Sequence, residues 1–285
     1  MSVLQEQFIV PPRALQQVLQ YFVLLTVEEG AAPVVRTLLP TFQIVMLINL
    51  GPTAEIWHEG GALVQVHRVD GIVVTAPLKK AFQYRLPENG RVLAVNFTLE
   101  GFFRLFQVPV EHLTDDFTDP DDLLPHRPFA QLWQQLRLLH NPTDLVQAIV
   151  DFSLPYLRAL EKPQAELMAQ LPLLAESRHL NPLKVMAAAT KVSERTWQLR
   201  FQKYLGFSVK EASRFMRFRR LLGKLEQRAV SEKEDWLALL EQHGYYDQSH
   251  LIHDFTHFLQ QSPTKVSMQL LQGDAICFTR TELVE

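Results

Sequence analysis

A single cysteine, Cys277, stands in the 285 residues. One thiol excludes an intramolecular disulfide framework and any metal site built from several cysteines. No apolar run approaches the length a membrane span needs, so none is expected. The N-terminus lacks a basic region followed by an apolar stretch and a small-residue cleavage site, which argues against a secretory leader. His58 and His67 are the only histidines in the stretch 36–97, and no His-x-His pair occurs, so a clustered imidazole metal site is not expected. No nucleophile–base motif stands out either. From these absences a soluble cytoplasmic chain is expected, with no metal, no cofactor and no catalytic residues.

What is present is apolar residues, at 47% of the chain, enough for one or two packed domains. The net charge of −3 hides an asymmetry. Residues 1–164 carry 12 Lys and Arg against 17 Asp and Glu, whereas residues 178–228 carry 13 against 3. A local basic block of this kind is the electrostatic footprint of a nucleic-acid partner, and its bland counterpart is a solvated helix face.

From 36 to 97 the texture is that of β-structure. Residues 42–50 are rich in branched and aromatic side chains and end at Gly51-Pro52. Shorter runs follow at 54–58, 63–67, 71–75, 81–86 and 91–97, and a short helix or first strand is expected within 11–22. Several short strands with regular turn signals predict a sandwich or barrel, here a jelly-roll or cupin-like barrel. Such an interior can hold one small effector, although no residue in the sequence identifies it.

Asp115, Asp116, Asp119, Asp121 and Asp122 cluster around Pro120. They lack the alternate spacing, central glycine and twelfth-position glutamate of a calcium loop, so they are expected to cap helices in a solvated loop. Amphipathic helices are expected at 129–140 and 144–160, with Leu132, Leu136, Leu139, Leu145, Ile149, Phe152 and Leu157 facing inward. That face suits a hairpin against the barrel or a homodimer. The domain boundary is placed near Pro163, giving a sensing or dimerising domain at 1–162, an all-α domain at 163–268 and a tail at 269–285.

In the all-α part, helices are expected at 166–178 and 182–190, with Pro182 in the first turn of the second. Ser193 caps the next helix, which Gly206 ends. Trp197, Phe201 and Tyr204 or Leu205 face inward, leaving Arg195, Gln198, Leu199 and Gln202 outward. A basic helix at 210–228 follows, with Phe215, Phe218, Leu221, Leu222 and Leu225 on its apolar side. Gly244 then permits a turn, and Asp247 caps a last helix in which Leu251, Phe255 and Phe258 form the buried face. Gln248, Ser249, Ile252, His253 and Thr256 lie opposite, and His253 with Asp254 makes this surface less basic than the first. About twenty residues at 1.5 Å rise span roughly 30 Å, close to one turn of B-DNA, so the two outward faces can enter successive major-groove segments.

The string Gly244-Tyr245-Tyr246-Asp247-Gln248-Ser249-His250, with Phe255 and later Ser262-Pro263, resembles the second helix-turn-helix of AraC/XylS-type transcription regulators. Residues 193–206 resemble the first unit of the same family, and 95–115 resemble the passage from barrel to helices in some of its sensor domains. Departures are Gln107 and Gln260 where glycine is frequent, Leu199 where arginine is frequent, and Val209 where proline usually follows Ser208. The resemblance implies sequence-specific binding of double-stranded promoter DNA, as an activator or a repressor, with an N-terminal sensing or dimerising domain. It implies DNA contacts from Ser193, Arg195, Thr196, Gln198, Leu199, Gln202 and Lys203, and from Gln248, Ser249, His250, Ile252, His253 and Thr256. Two other readings stand beside it: a protein-interaction adaptor whose helix-turn-helix units do not bind DNA, and a cupin-type enzyme.

Overall fold

The computed structural model describes residues 4–58, 65–113, 117–176, 182–228, 245–272 and 275–276. Asp115, Asp116, Gly244, Cys277 and the rest of the tail beyond it lie outside the described residues.

The chain is α+β. Its strands are β1 (Leu4–Ile9), β2 (Leu19–Val27), β3 (Val34–Leu38), β4 (Val45–Asn49), β5 (Ala54–Trp57), β6 (Val66–Val69), β7 (Ile72–Thr75), β8 (Phe82–Leu86), β9 (Arg91–Phe97), β10 (Phe117–Thr118) and β11 (Ala275–Ile276). They form a six-stranded sheet in the order β1-β2-β9-β4-β7-β10 and a five-stranded sheet in the order β11-β3-β8-β5-β6. Among the described residues the strand pairings are antiparallel except that of β11 with β3. Tyr21, Val23, Leu25, Val45, Leu47, Val92 and Ala94 point from the first sheet into a core shared with Leu38, Ile56, Phe82, Tyr84 and Leu86 of the second.

The opposite face of the six-stranded sheet is buried too. Phe22, Leu24, Met46, Ile48, Leu93 and Val95 join a second core built with the helices. Burial on both faces removes the polar alternation of a half-buried strand, which is why β2, β4 and β9 read as near-continuous apolar runs. Between the sheets the described residues line a cavity of about 30 Å³, with walls that include Leu25, Ile56, Tyr84 and Ala94. That is room for about one water molecule.

The region 11–22 divides into a 3₁₀ turn, Arg13–Leu15, and the start of β2. The strand expected from Phe42 begins at Val45 instead, because Phe42 takes a left-handed conformation (φ 56°) that breaks the extended run.

After the sheets come α1 (Leu99–Phe106), α2 (Pro128–Leu136), α3 (Pro142–Ser153), α4 (Lys162–Glu176), α5 (Pro182–Thr190), α6 (Glu194–Leu205), α7 (Val209–Arg228), α8 (Gln248–Leu259) and α9 (Pro263–Gln272). Of the aspartates expected to cap helices in a solvated loop, Asp119 and Asp121 cap, and Asp121 is buried. Asp119 accepts from the Asp121 N–H at 2.9 Å, and the Asp121 carboxylate accepts from the N–H groups of Phe129 and Ala130 at 2.7 and 3.0 Å, in the first turn of α2. α2 ends before 140, and the Arg91 guanidinium donates to the carbonyls of Leu139 and His140 beyond it. α3 stops at Ser153 and continues only as a 3₁₀ turn through Pro155, which has no N–H to extend the ladder. The tail is not featureless: α9 runs to Gln272, and β11 adds an edge strand beside Thr37 and Leu38. No helix among the described residues is long and apolar enough to cross a membrane.

The helices do not hang from the sheets on a tether. Phe42 stacks on Phe215 of α7 with ring centroids 3.8 Å apart, and meets Phe207 and Phe258 edge-on. Phe103 of α1 meets Tyr204 of α6, the Ala81 N–H donates to the Phe258 carbonyl at 2.9 Å, and Lys79 pairs with Glu211 at 3.6 Å.

Two substitutions test the backbone part of this description. A Cβ on Gly101 would lie 1.8 Å from the Val18 carbonyl oxygen, a contact with backbone that side-chain motion cannot relieve. Gly101→Ala is expected to cost about 3 kcal/mol or more, the upper range for overpacking, measured by chemical denaturation. Gln260 holds a left-handed C-cap (φ 54°) at the end of α8. Gln260→Gly is expected to stabilise by about 1 kcal/mol in the same assay, since glycine meets no Cβ penalty there.

Candidate nucleic-acid interface

The first unit is α5, a three-residue turn and α6. Lys191 makes the turn in a left-handed conformation (φ 58°), its N–H bonded to the Ala187 carbonyl at 3.1 Å. Ser193 then caps α6, its hydroxyl accepting from the Thr196 N–H at 3.1 Å and lying 2.9 Å from the Thr196 hydroxyl. Gly206 closes the helix at φ 71°. Trp197, Phe201, Tyr204 and Leu205 are all buried, and the Trp197 indole N–H reaches the Thr190 hydroxyl at 3.2 Å. Burying that stripe turns Arg195, Gln198, Leu199, Gln202 and Lys203 outward, and all five are exposed. Arg200 is not among them: it is held by Glu166 of α4 at 2.7 Å and lies over the Trp197 ring.

α7 separates the units. Ser208 and Glu211 form a reciprocal capping box: the Glu211 N–H donates to the Ser208 hydroxyl, and the Ser208 N–H donates to the Glu211 carboxylate at 2.7 Å. Partial burial raises the Glu211 pKa, but the Ser208 bonds and Lys79 outweigh it and hold the carboxyl below its ordinary range. This box starts the helix without the proline usual after the serine. Phe215, Phe218, Leu221, Leu222 and Leu225 are buried, as the pattern predicts.

In the second unit Asp247 caps α8, accepting from the His250 N–H at 2.7 Å. Leu251, Phe255 and Phe258 are buried, and Gln248, Ser249, Ile252, His253 and Thr256 are exposed. His250 is half-buried, its ring against Tyr245.

One residue stands where the sequence reading did not put it. Asp254, expected to make the outward surface less basic, is 0% exposed. It falls three residues after Leu251 and one before Phe255, on the face that packs against α7. There Arg214 Nε meets its Oδ1 at 2.6 Å and Arg217 Nη2 meets its Oδ2 at 3.3 Å. The same two arginines reach His253 Nδ1 at 2.7 Å and His250 Nε2 at 3.0 Å. Arginine only donates, so those ring nitrogens accept and carry no proton. The Arg217 guanidinium also lies 5.0 Å from the centre of the Tyr245 ring. Burial, followed by the Asp254 carboxylate, pushes the Tyr245 phenol above its ordinary range despite Arg217. Arg217 is thus engaged inside the protein.

Tyr246, 94% exposed just before the cap of α8, is a surface aromatic that periodicity does not single out. Among the described residues no group of three or more His, Cys, Asp or Glu side chains is placed to hold a metal ion.

A family model described as a domain of unknown function (DUF6597) matches residues 7–119. No curated protein matches the chain. Among solved structures, ToxT from Vibrio cholerae in a P21 crystal form is 9% identical over 94% of this chain and 98% of its own, with a TM-score of 0.44. ToxT from Vibrio cholerae O395 is 10% identical over 95% and 99%, with a TM-score of 0.45. The O395 protein bound to (E)-4-(8-methylnaphthalen-1-yl)but-3-enoic acid is 10% identical over 94% and 100%, also at 0.45. Likeness at these scores carries no weight for function.

Asp254→Asn keeps the shape and removes the charge between Arg214 and Arg217. It is expected to destabilise by about 3 kcal/mol, the range for breaking a buried ion pair, and to loosen α8 from α7. Hydrogen exchange confined to α8 and its partner face reads the second effect; unchanged protection there would refute the clamp.

Proposed function

We propose that the chain is a sequence-specific DNA-binding transcription regulator of AraC/XylS type, in which α6 and α8 read successive major-groove segments. The observation that carries this reading is the pair of capped helices with exposed, largely polar outward faces, with the basic 20-residue α7 between them in the chain. α7 is about 30 Å long at 1.5 Å per residue, and α8 packs against its stretch 214–218, which holds the two faces on one frame. The basic block at 178–228 supports it by supplying the charge for phosphate neutralisation. Residues 1–162 form the regulatory part and 163–268 the reading part. Pairing of two copies, or an effector that widens the small cavity between the sheets, acts through the contacts of Phe42 with Phe207, Phe215 and Phe258.

Within the reading part, Gln198 and Arg195 contact bases, since glutamine pairs bidentately with adenine and arginine with guanine. Ser193, Thr196, Gln202 and Lys203 hold the first unit to DNA; Gln248, Ser249, His250, Ile252, His253 and Thr256 serve the second.

Binding of the full chain to genomic fragments, followed across salt concentrations, tests the proposal. Gln198→Ala is expected to cost about 1–3 kcal/mol on the best site and to relax specificity at one position. Lys203→Ala is expected to weaken all sequences alike and to lower the salt slope by about 1. Equal loss on every sequence for Gln198→Ala would remove its reading role, and no salt-dependent binding at all would remove the regulator assignment.

A further inference from the structure

Leu199 and Ile252 are 54% and 43% exposed, one on each outward helix face. Each sits in the middle of a stripe. On α6 the stripe runs Arg195, Leu199, Gln202; on α8 it runs Gln248, Ile252, Thr256. Residues three or four apart are neighbours along a helix, so each apolar side chain has an exposed polar one a turn before it and a turn after it. Neither belongs to a core cluster of the fold. A lone exposed leucine needs no explanation. The same arrangement on both faces meant for the major groove is a different observation, because that groove presents one hydrocarbon feature, the thymine 5-methyl group.

We propose that Leu199 and Ile252 are specificity-determining residues that each pack against a thymine 5-methyl. The recognised duplex then carries a thymine under each reading helix, in segments about one helical repeat apart. The inference rests on the DNA-reading function proposed above and names the base that function selects. Glutamines beside both residues agree with it. Gln198 precedes Leu199 and Gln248 lies one turn before Ile252, and glutamine favours adenine, the partner of thymine. An arginine at 199 would instead favour guanine, so the leucine changes which base pair the helix prefers.

The test uses the full chain and duplexes selected by it from a random pool. Each thymine of the selected site is replaced in turn by uracil, which deletes the methyl group and leaves pairing unchanged, and affinity is followed by fluorescence anisotropy. Uracil at one thymine in each of two segments is expected to weaken binding about fourfold, the factor for one buried methyl. Leu199→Ala is expected to abolish the uracil effect in one segment and keep it in the other, Ile252→Ala to do the reverse, and Leu199→Met to restore sensitivity. Both side chains are exposed, so the variants fold. Selected sites without thymine, uracil without effect, or equal sensitivity in wild type and Leu199→Ala would each overturn the methyl reading while DNA binding stands. A pool from which no duplex is enriched would overturn DNA reading and this inference together.

Discussion

The arrangement of the two halves depends on one residue held against its own preference. Phe42 adopts φ 56°, a region that costs a bulky side chain about 1–2 kcal/mol. The turn is held by the Leu78 carbonyl, which receives the N–H groups of Thr41 and Phe42 at 3.1 and 3.0 Å, while the Leu78 N–H returns to the Gln43 carbonyl. What offsets the strain is the stack on Phe215 and the edge contacts with Phe207 and Phe258. An aromatic pair contributes about 0.5–1.5 kcal/mol beyond its buried area, so three such contacts outweigh the turn. One apolar core therefore runs from the outer face of the six-stranded sheet through α7 into α8. The long helix that spaces the two exposed faces is positioned by the sheets as much as by its own neighbours.

Asp254 does for α8 what Phe42 does for α7. A fully buried carboxylate with no partner would be costly, and here two guanidiniums from α7 approach it. The bonds are directional where the surrounding packing of Phe255 on Phe218 is not, so the network sets the rotation of α8 about its axis as well as its distance. That rotation decides which residues face outward. His250 and His253 are drawn toward the arginines by the same network, while Gln248, Ile252 and Thr256 remain outside it.

The helical half was legible where local chemistry decides structure. Ser193 and Asp247 announce caps, Gly206 announces an end, and a stripe such as Trp197, Phe201 and Tyr204 announces a buried face. The outward side chains then follow by subtraction. The sheets were legible as short strands of a sandwich or barrel, but not which strands are covered on both faces. β2, β4 and β9 carry no polar alternation, and periodicity alone does not tell a doubly buried strand from a buried helix segment; for β4 and β9 the branched and aromatic residues did. β1 was missed for the opposite reason. Its Gln5, Glu6 and Gln7 are exposed, so only pairing with β2 makes it a strand. Asp254 was misplaced because a charged residue on a helix is read as solvent-facing unless its partner is known. That partner lies 37 and 40 residues away.

Both glutamines that stand where glycine is frequent keep the left-handed turn, Gln107 at φ 57° and Gln260 at φ 54°. The fold demands the conformation, and the sequence meets it at a cost of roughly 1 kcal/mol each. At Gln107 the side chain returns part of that cost by donating to the Phe103 carbonyl at 2.7 Å, which also accepts from the Gln107 backbone N–H at 2.9 Å. A turn retained in spite of its residue is fixed from outside itself. For Gln107 the outside constraint is α1 packed between the six-stranded sheet and Tyr204; for Gln260 it is Phe258, clasped between Ala81 and Phe42. In both places the constraint crosses from one half of the chain to the other. A ligand or partner that binds the sheets can therefore change the outward helix faces only by favouring a different packing of these crossing contacts, since a site indifferent to them shifts nothing.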